Sequence, residues 1–157
     1  MVRTLKDAPR PKRAPLPEEE AYLSILRAVG WMSTRLTRLL KAHGLTPAQY
    51  NILRILRGAG APLPCLEVAH RLITPEPDIT RLLDRMEKAG LITRHRSIRD
   101  RRVVDVSITP LGRRTLTGLD GPVIETHRAN LGHMSRNDLA EISRLLEKAK
   151  TGAEPIG

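Results

Sequence analysis

Five arginines stand within nine residues, Arg94, Arg96, Arg99, Arg101 and Arg102, with Asp100 among them. A guanidinium is a planar, weakly hydrated fork that matches phosphate oxygens and base edges. A run built wholly from arginine therefore points beyond a merely solvated face to a polyanion. A second set lies upstream. Wound as a helix over residues 77–89, Ile79, Leu82, Leu83 and Met86 fall on one side. Pro77, Arg81, Asp84 and Lys88 lie opposite, with Thr80 and Arg85 on the flanks. Arg81 and Thr80 sit early on that helix, where side chains meet base edges when a helix enters the major groove, and Arg81 suits guanine O6 and N7. Asp78 is early enough to accept from cytosine or repel a wrong site. For Asp84, Arg85 and Lys88 the plainer reading is ion pairing along a wet helix face.

Enzymatic chemistry has little to stand on. Gly58-Ala59-Gly60 lacks the Gly-Lys-Ser/Thr that completes a phosphate loop, and no acids are spaced for a metal. His43, His70, His95, His127 and His133 show no zinc-ligand spacing. Cys65, the single thiol, falls at the second position of an expected helix. A helix N-terminus lowers a thiol pKa, so a redox-responsive regulator is one alternative reading, although buried structural cysteine is the commoner fate. No enzyme, cofactor or metal is expected.

The 157 residues carry a formal charge of +10. Residues 21–60 hold six basic groups and no acid, residues 94–102 come to +4, and residues 103–157 balance. Trp31, Tyr22 and Tyr50 are the only aromatics, which argues against stacking of unpaired bases. One cysteine excludes an intrachain disulfide framework. There is no apolar run of the roughly 20 residues that span a bilayer, nor the apolar centre of a signal peptide. A soluble, intracellular protein with a polyanionic partner and no membrane is expected.

The elements that must carry these residues follow from local signals. Residues 1–17, with four prolines, read as a mobile arm. A first helix starts near Pro17, with Glu18–Glu20 at its positive end, and stops at Gly44. Thr46, Pro47 and Gln49 form a capping box, with Leu45 and Tyr50 as a hydrophobic staple. A third helix is expected over residues 64–72 and a fourth over 77–89. Residues 91–96 and 102–108 alternate as two strands joined by a turn at 97–101. Thr109-Pro110 opens another helix, with a break or kink expected at Gly118, Gly121 and Pro122. Ser135 and Asp138 open the last, with Leu139, Ile142, Leu146 and Ala149 on one face. Helix–turn–helix followed at once by a hairpin is a winged helix. Within the hairpin, Asp100 has two readings: a carboxylate holding Arg102, or a turn residue.

From Leu45 to Leu116 the chain resembles the MarR family of bacterial transcription regulators. The resemblance is carried by Leu45-Thr46-Pro47-Ala48-Gln49-Tyr50, by residues 79–92 from Ile79-Thr80-Arg81-Leu82-Leu83 onward, and by Asp100-Arg101-Arg102 running into Thr109-Pro110-Leu111-Gly112. It implies that Arg81 is the reading-helix arginine and that Arg102 is the wing arginine inserted in the minor groove, with Asp100 its partner. It also implies a cytoplasmic, nucleoid-associated bacterial homodimer that is often released by a small aromatic acid. By the family, an effector pocket falls near Trp31, Met32 and Arg35. The proline-rich entry at residues 74–77 departs from the family pattern, as does Gly121-Pro122.

The expected fold is mainly α with a two-stranded β wing. Residues 45–109 form the winged helix–turn–helix, residues 18–44 and 110–150 the dimerisation helices, and 151–157 a tail. The first and last helices have apolar faces that a small winged domain cannot cover alone, and twofold pairing covers them. The expected function is a homodimeric regulator, a repressor by preference, on a pseudopalindromic duplex operator. Recognition-helix residues Asp78, Thr80, Arg81 and Arg85 and wing residues Arg99, Asp100, Arg101 and Arg102 are the expected DNA contacts. A winged-helix protein-interaction module is the other alternative, disfavoured because such an interface tolerates Lys or Gln where this chain has Arg.

Overall fold

The computed structural model describes residue 14, residues 16–98 and residues 100–152. The chain divides into two compact units, Met1–Thr34 and Arg35–Gly157, the boundary falling within helix α1 (Pro17–Ala42). In the first unit the helix opens on Glu18, Glu19 and Glu20, which favour its positive end. The Thr34 hydroxyl donates back to the Gly30 carbonyl at 2.9 Å.

The second unit contains the end of α1, then α2 (Pro47–Ala59), β1 (Leu63–Pro64), α3 (Cys65–His70), α4 (Ile79–Lys88), β2 (Ile92–Arg96), β3 (Val104–Ile108), α5 (Pro110–Leu131) and α6 (Arg136–Thr151). The fold is a mainly helical winged helix, and its sheet is antiparallel in the order β1-β3-β2. Two strands were expected and three are found. Leu63 and Pro64 pair with Val106 and Asp105, so α3 begins at Cys65 rather than Pro64. A two-residue strand has no periodicity to read, and its proline stands at an edge where no ladder donor is needed.

Local signals set the helix ends. Thr46 caps α2 in a closed box: Gln49 N–H donates to Thr46 Oγ1 at 3.2 Å, and Thr46 N–H to Gln49 Oε1 at 2.8 Å. Ser135 and Asp138 repeat the box on α6. α1 and α4 end alike, each with a glycine of positive φ (Gly44, 73°; Gly90, 71°). Leu45 N–H bonds to Leu40 O and Leu91 N–H to Met86 O, both at 3.0 Å. These are Schellman closures, and the leucine after each glycine is buried beside the helix it terminates.

The core joins Leu40, Ile52, Leu53, Leu56, Val68, Leu82, Leu83, Met86, Ile92, Val106, Leu116 and Leu119, all essentially inaccessible. It sits between α2, α4, the sheet and the first half of α5. The break expected at Pro122 is absent: α5 runs unbroken from Pro110 to Leu131. Pro122 forfeits one helical bond, a cost of about 3 kcal/mol in a helix interior. Leu116, Leu119 and Val123, buried on one face, straddle it, and their burial at about 1.5–3 kcal/mol each outweighs that cost.

The start of α5 meets the end of α4 at close range. Thr109 Oγ1 donates to Gly90 O at 2.6 Å and accepts from Gly112 N–H at 3.0 Å. A Cβ on Gly112 would lie 2.2 Å from the Leu91 carbonyl oxygen and 3.2 Å from Leu53 Cδ2. Backbone cannot yield as a flexible side chain can, so Gly112→Ala should destabilise the fold by about 3 kcal/mol or more. Urea denaturation checks this, and a midpoint unchanged from wild type would show that the α4–α5 junction is not packed as described.

Candidate nucleic-acid interface

α4 begins two residues later than its pattern suggested, at Ile79. Asp78 is its N-cap, accepting from Arg81 N–H at 3.0 Å. The carboxylate considered for base contact is thus engaged with the helix end. Leu82, Leu83 and Met86 face the core, whereas Thr80, Arg81, Arg85 and Lys88 are exposed.

The acids of α4 behave differently from the expected pattern of pairs along the helix. Asp84 and Glu87 both turn to Arg94 on β2. Arg94 Nη2 lies 2.5 Å from Asp84 Oδ1 and 2.8 Å from Glu87 Oε2, and its backbone N–H donates to Glu87 Oε1 at 2.9 Å. The Arg94 guanidinium holds the Glu87 carboxyl below its ordinary value, chiefly through the side-chain hydrogen bond. Arg94 is raised above its own ordinary value for the same reason. With both acids so engaged, Arg81, Arg85 and Lys88 have no ion-pair partner among the described residues, and they stand at i, i+4 and i+7. One stripe of α4 is purely cationic.

The arginine run of the wing also divides by role. Arg94 is a structural clamp with its side chain only 22% exposed. Arg96 Nη1 donates to the Arg101 carbonyl at 2.7 Å, closing the hairpin across its base. Arg101 and Arg102 are exposed. Arg99 lies outside the described residues. Asp100 Oδ1 accepts from the Arg102 backbone N–H at 2.9 Å, and Val103 N–H bonds to Asp100 O at 2.9 Å. Of the two readings open for Asp100, this is the geometry of a turn residue. The signal for Arg94 was present in the sequence: it lies two residues from Ile92, which is buried, and so shares its side of the strand.

The remaining candidates fall elsewhere. Trp31 and Met32 belong to the first unit and Arg35 opens the second, all on α1. Cys65 is half-buried, and burial pushes its thiol above the ordinary value despite the nearby Arg94 charge. That is opposite to what an activated thiol needs. His43 Nδ1 bonds the Leu39 carbonyl at 3.0 Å near the end of α1. Among the described residues no three His, Cys, Asp or Glu side chains gather as a metal site would require, and no helix is long and apolar enough to cross a membrane.

A reading helix with a cationic stripe, braced to an arginine-bearing hairpin, is the arrangement of a winged DNA-binding domain. The MarR family model matches residues 45–104. The crystal structure of a MarR transcription factor from Planctomyces limnophilus is 38% identical, covering 86% of this chain and 98% of that one, with a TM-score of 0.66. The chain belongs to the MarR family. As such it is a DNA-binding transcription regulator, of a family of regulators rather than enzymes. The homoprotocatechuate degradative operon repressor of Escherichia coli is 28% identical over 110 residues, covering 70% of this chain and 74% of that protein. An organohalide-sensing transcriptional regulator, solved with 2,4-dichlorophenol bound, shares the fold. Its TM-score is 0.81 at 19% identity, over 96% of this chain and 89% of that one.

The clamp of this MarR regulator has a pH signature. Glu87 is depressed in the folded state, so its contribution is complete above the unfolded value near 4.3 and is lost as pH falls through the lower folded value. Asp120, held low by a bidentate pair with Arg57 at 2.8 Å between α2 and α5, adds in the same direction. Glu87→Gln should lower stability at pH 7 by about 1 kcal/mol, allowing for its partial exposure. It should also flatten the fall in Tm between pH 5 and 3, as thermal melts across that range would show. A wild-type profile in the variant would remove the clamp from the stability of the fold.

Proposed function

We propose that this regulator is a repressor that binds a pseudopalindromic duplex operator as a homodimer and is released by a small aromatic ligand. The observation that carries the reading is the unpaired stripe of Arg81, Arg85 and Lys88 on α4, left cationic because Asp84 and Glu87 are committed to Arg94. α4 enters the major groove, with Thr80 and Arg81 at base edges and Arg85 at phosphate or base. Asp78 contributes by capping the helix that presents them. The wing carries Arg101 and Arg102 to the neighbouring minor groove, where a narrow, A·T-rich tract concentrates negative potential. Asp100 sets the turn that aims them, and Arg99 belongs to the same proposed surface.

The dimer reading is supported by exposed apolar side chains. Tyr22, Leu23, Ile25, Leu26 and Val29 of α1, and Ile142, Leu145 and Leu146 of α6, are between 39% and 61% exposed. No residue of α6 is buried. A lone chain gains nothing from such faces, and a twofold partner covers them. Residues 18–44 and 110–150 are accordingly assigned to dimerisation and 45–109 to DNA. Two half-sites about one helical turn apart follow. The site of action is the bacterial cytoplasm.

The effector class is suggested by what the relatives' names report, homoprotocatechuate metabolism in one and 2,4-dichlorophenol in another. Trp31 and Met32, both in the first unit, supply an aromatic face and a thioether, which suit an aromatic ring.

A mobility-shift assay on the duplex upstream of the protein's own gene tests the DNA contacts. Arg102→Ala should weaken binding strongly. Arg81→Ala should cost about 1–3 kcal/mol and relax base preference. Wild-type affinity should fall steeply with salt, by a log–log slope of about −0.9 per phosphate contacted. A flat salt response would sink the DNA reading. Trp31, the single tryptophan, reports on the effector. Titration with homoprotocatechuate or 2,4-dichlorophenol should change its emission and release DNA over the same range. If release occurs with unaltered emission, the Trp31 assignment fails.

A further inference from the structure

One residue of the wing is explained neither by the turn nor by the arginines. Ile98 is 99% exposed, more than any other large apolar side chain among the described residues. Its neighbour Ser97 is buried, and Ser97 N–H bonds Val103 O at 2.9 Å. The hairpin is therefore anchored one residue before the point where Ile98 projects. Arg96, Ser97, Ile98 and Arg101 line a shallow cleft there. Arg96 is itself fixed by its bond to the Arg101 carbonyl.

An isoleucine in this position contributes nothing to the core, and Asn, Gly or Ser would serve the turn better. It is also stiff about χ1, so it loses little freedom when seated against a partner. The cations around it choose the partner. Arg101 and Arg102, both exposed, call for a polyanion, whereas an apolar protein surface would leave two charges to be desolvated unpaired. One isoleucine is too little apolar surface to hold a bilayer. The minor groove of duplex DNA offers both halves of the match: phosphate rims, and an interior into which apolar side chains wedge between base steps.

We propose that Ile98 is an apolar wedge of the wing, which enters the minor groove beside the inserted arginine, opens it and bends the operator. The inference rests on the wing reading above and adds a contact of different chemistry. Arginine supplies attraction that salt screens, whereas Ile98 supplies contact that salt does not. Sequence preference at the wing then comes from how readily a step unstacks, with pyrimidine–purine steps favoured.

The test uses the full chain and a circularly permuted set of duplexes from the region upstream of its gene. Affinity, salt slope and bend angle are compared for Ile98→Ser, Ile98→Leu and Arg102→Ala. Ile98→Ser should bind about tenfold more weakly, or 1.4 kcal/mol, with an unchanged salt slope and a smaller bend. Ile98→Leu should keep most of both. Arg102→Ala should lose affinity and reduce the salt slope by about one. Wild-type affinity and bend in Ile98→Ser, where Arg102→Ala binds weakly, would overturn the wedge while leaving the wing in place. Weaker binding of Ile98→Ser with an unchanged bend would also overturn it. Should Arg102→Ala and Ile98→Ser both behave as wild type, the wing reading falls and takes the wedge with it. Ile98 is so exposed that its replacement leaves the core untouched, which thermal melts of each variant confirm.

Discussion

The guanidinium of Arg94 reaches from the first wing strand to Asp84 and Glu87 on the reading helix, and its backbone N–H closes onto Glu87 as well. Two consequences come from this one contact. It ties the two elements that would meet DNA into a single body, so that the pitch of the wing follows the pitch of α4. It also withdraws both acids of that helix from pairing with Arg81, Arg85 and Lys88. A partly buried Arg–carboxylate pair has little net worth as a stabiliser, because desolvation offsets most of the attraction. Its larger effect is on geometry: the fork fixes distance and angle together.

That withdrawal changes the meaning of the charge. Counted along the chain, the reading helix is nearly neutral and the hairpin strongly basic. Counted on the folded surface, one of the hairpin's positive charges is paired with two carboxylates of the helix. What remains outside is a cationic stripe on α4 and Arg101 and Arg102 on the wing. Residue counts locate a basic segment, but only pairing says which of its members are available to a phosphate. Arg96 makes the same point, being committed to a carbonyl of its own hairpin.

Most of the fold was legible because its signals are local. Thr46-Pro47 with Gln49, Ser135 with Asp138, and Thr109-Pro110 each satisfy orphan N–H groups within one turn, and each opens a helix where expected. Reading fails where the deciding partner is distant in sequence. β1 exists because β3 lies beside it some forty residues on, and nothing in Leu63-Pro64 announces that. Pro122 is a helix breaker by its own chemistry, yet Leu116, Leu119 and Val123 keep α5 continuous through it by packing on the core. Asp78 errs the other way. Its capping role is local, but the prolines before it made Pro77 look like the first helical residue. At the candidate interface the helix face was legible from periodicity, whereas the Arg94 clamp required knowing that β2 folds back along α4.

The junction of α4 and α5 gives the reading helix a second anchor. Thr109 bonds Gly90 and caps α5 with the same hydroxyl, and Gly112 lets the α5 backbone lie against the Leu91 carbonyl with no side chain between. On the other side of the core Arg57 and Asp120 lock α2 to the middle of α5. α5 is therefore held to the end of α4 by backbone contacts and to α2 by a bidentate pair, within one continuous helix. A rotation of α5 cannot be absorbed at its first turn, since hydrogen bonds there are short and the close approach leaves no slack. It must either break those contacts or carry the end of α4, and with it the Arg94-braced wing. The glycine at position 112 and the arginine at 94 thus act on the same mechanical property from opposite ends, tying α5, α4 and the wing together.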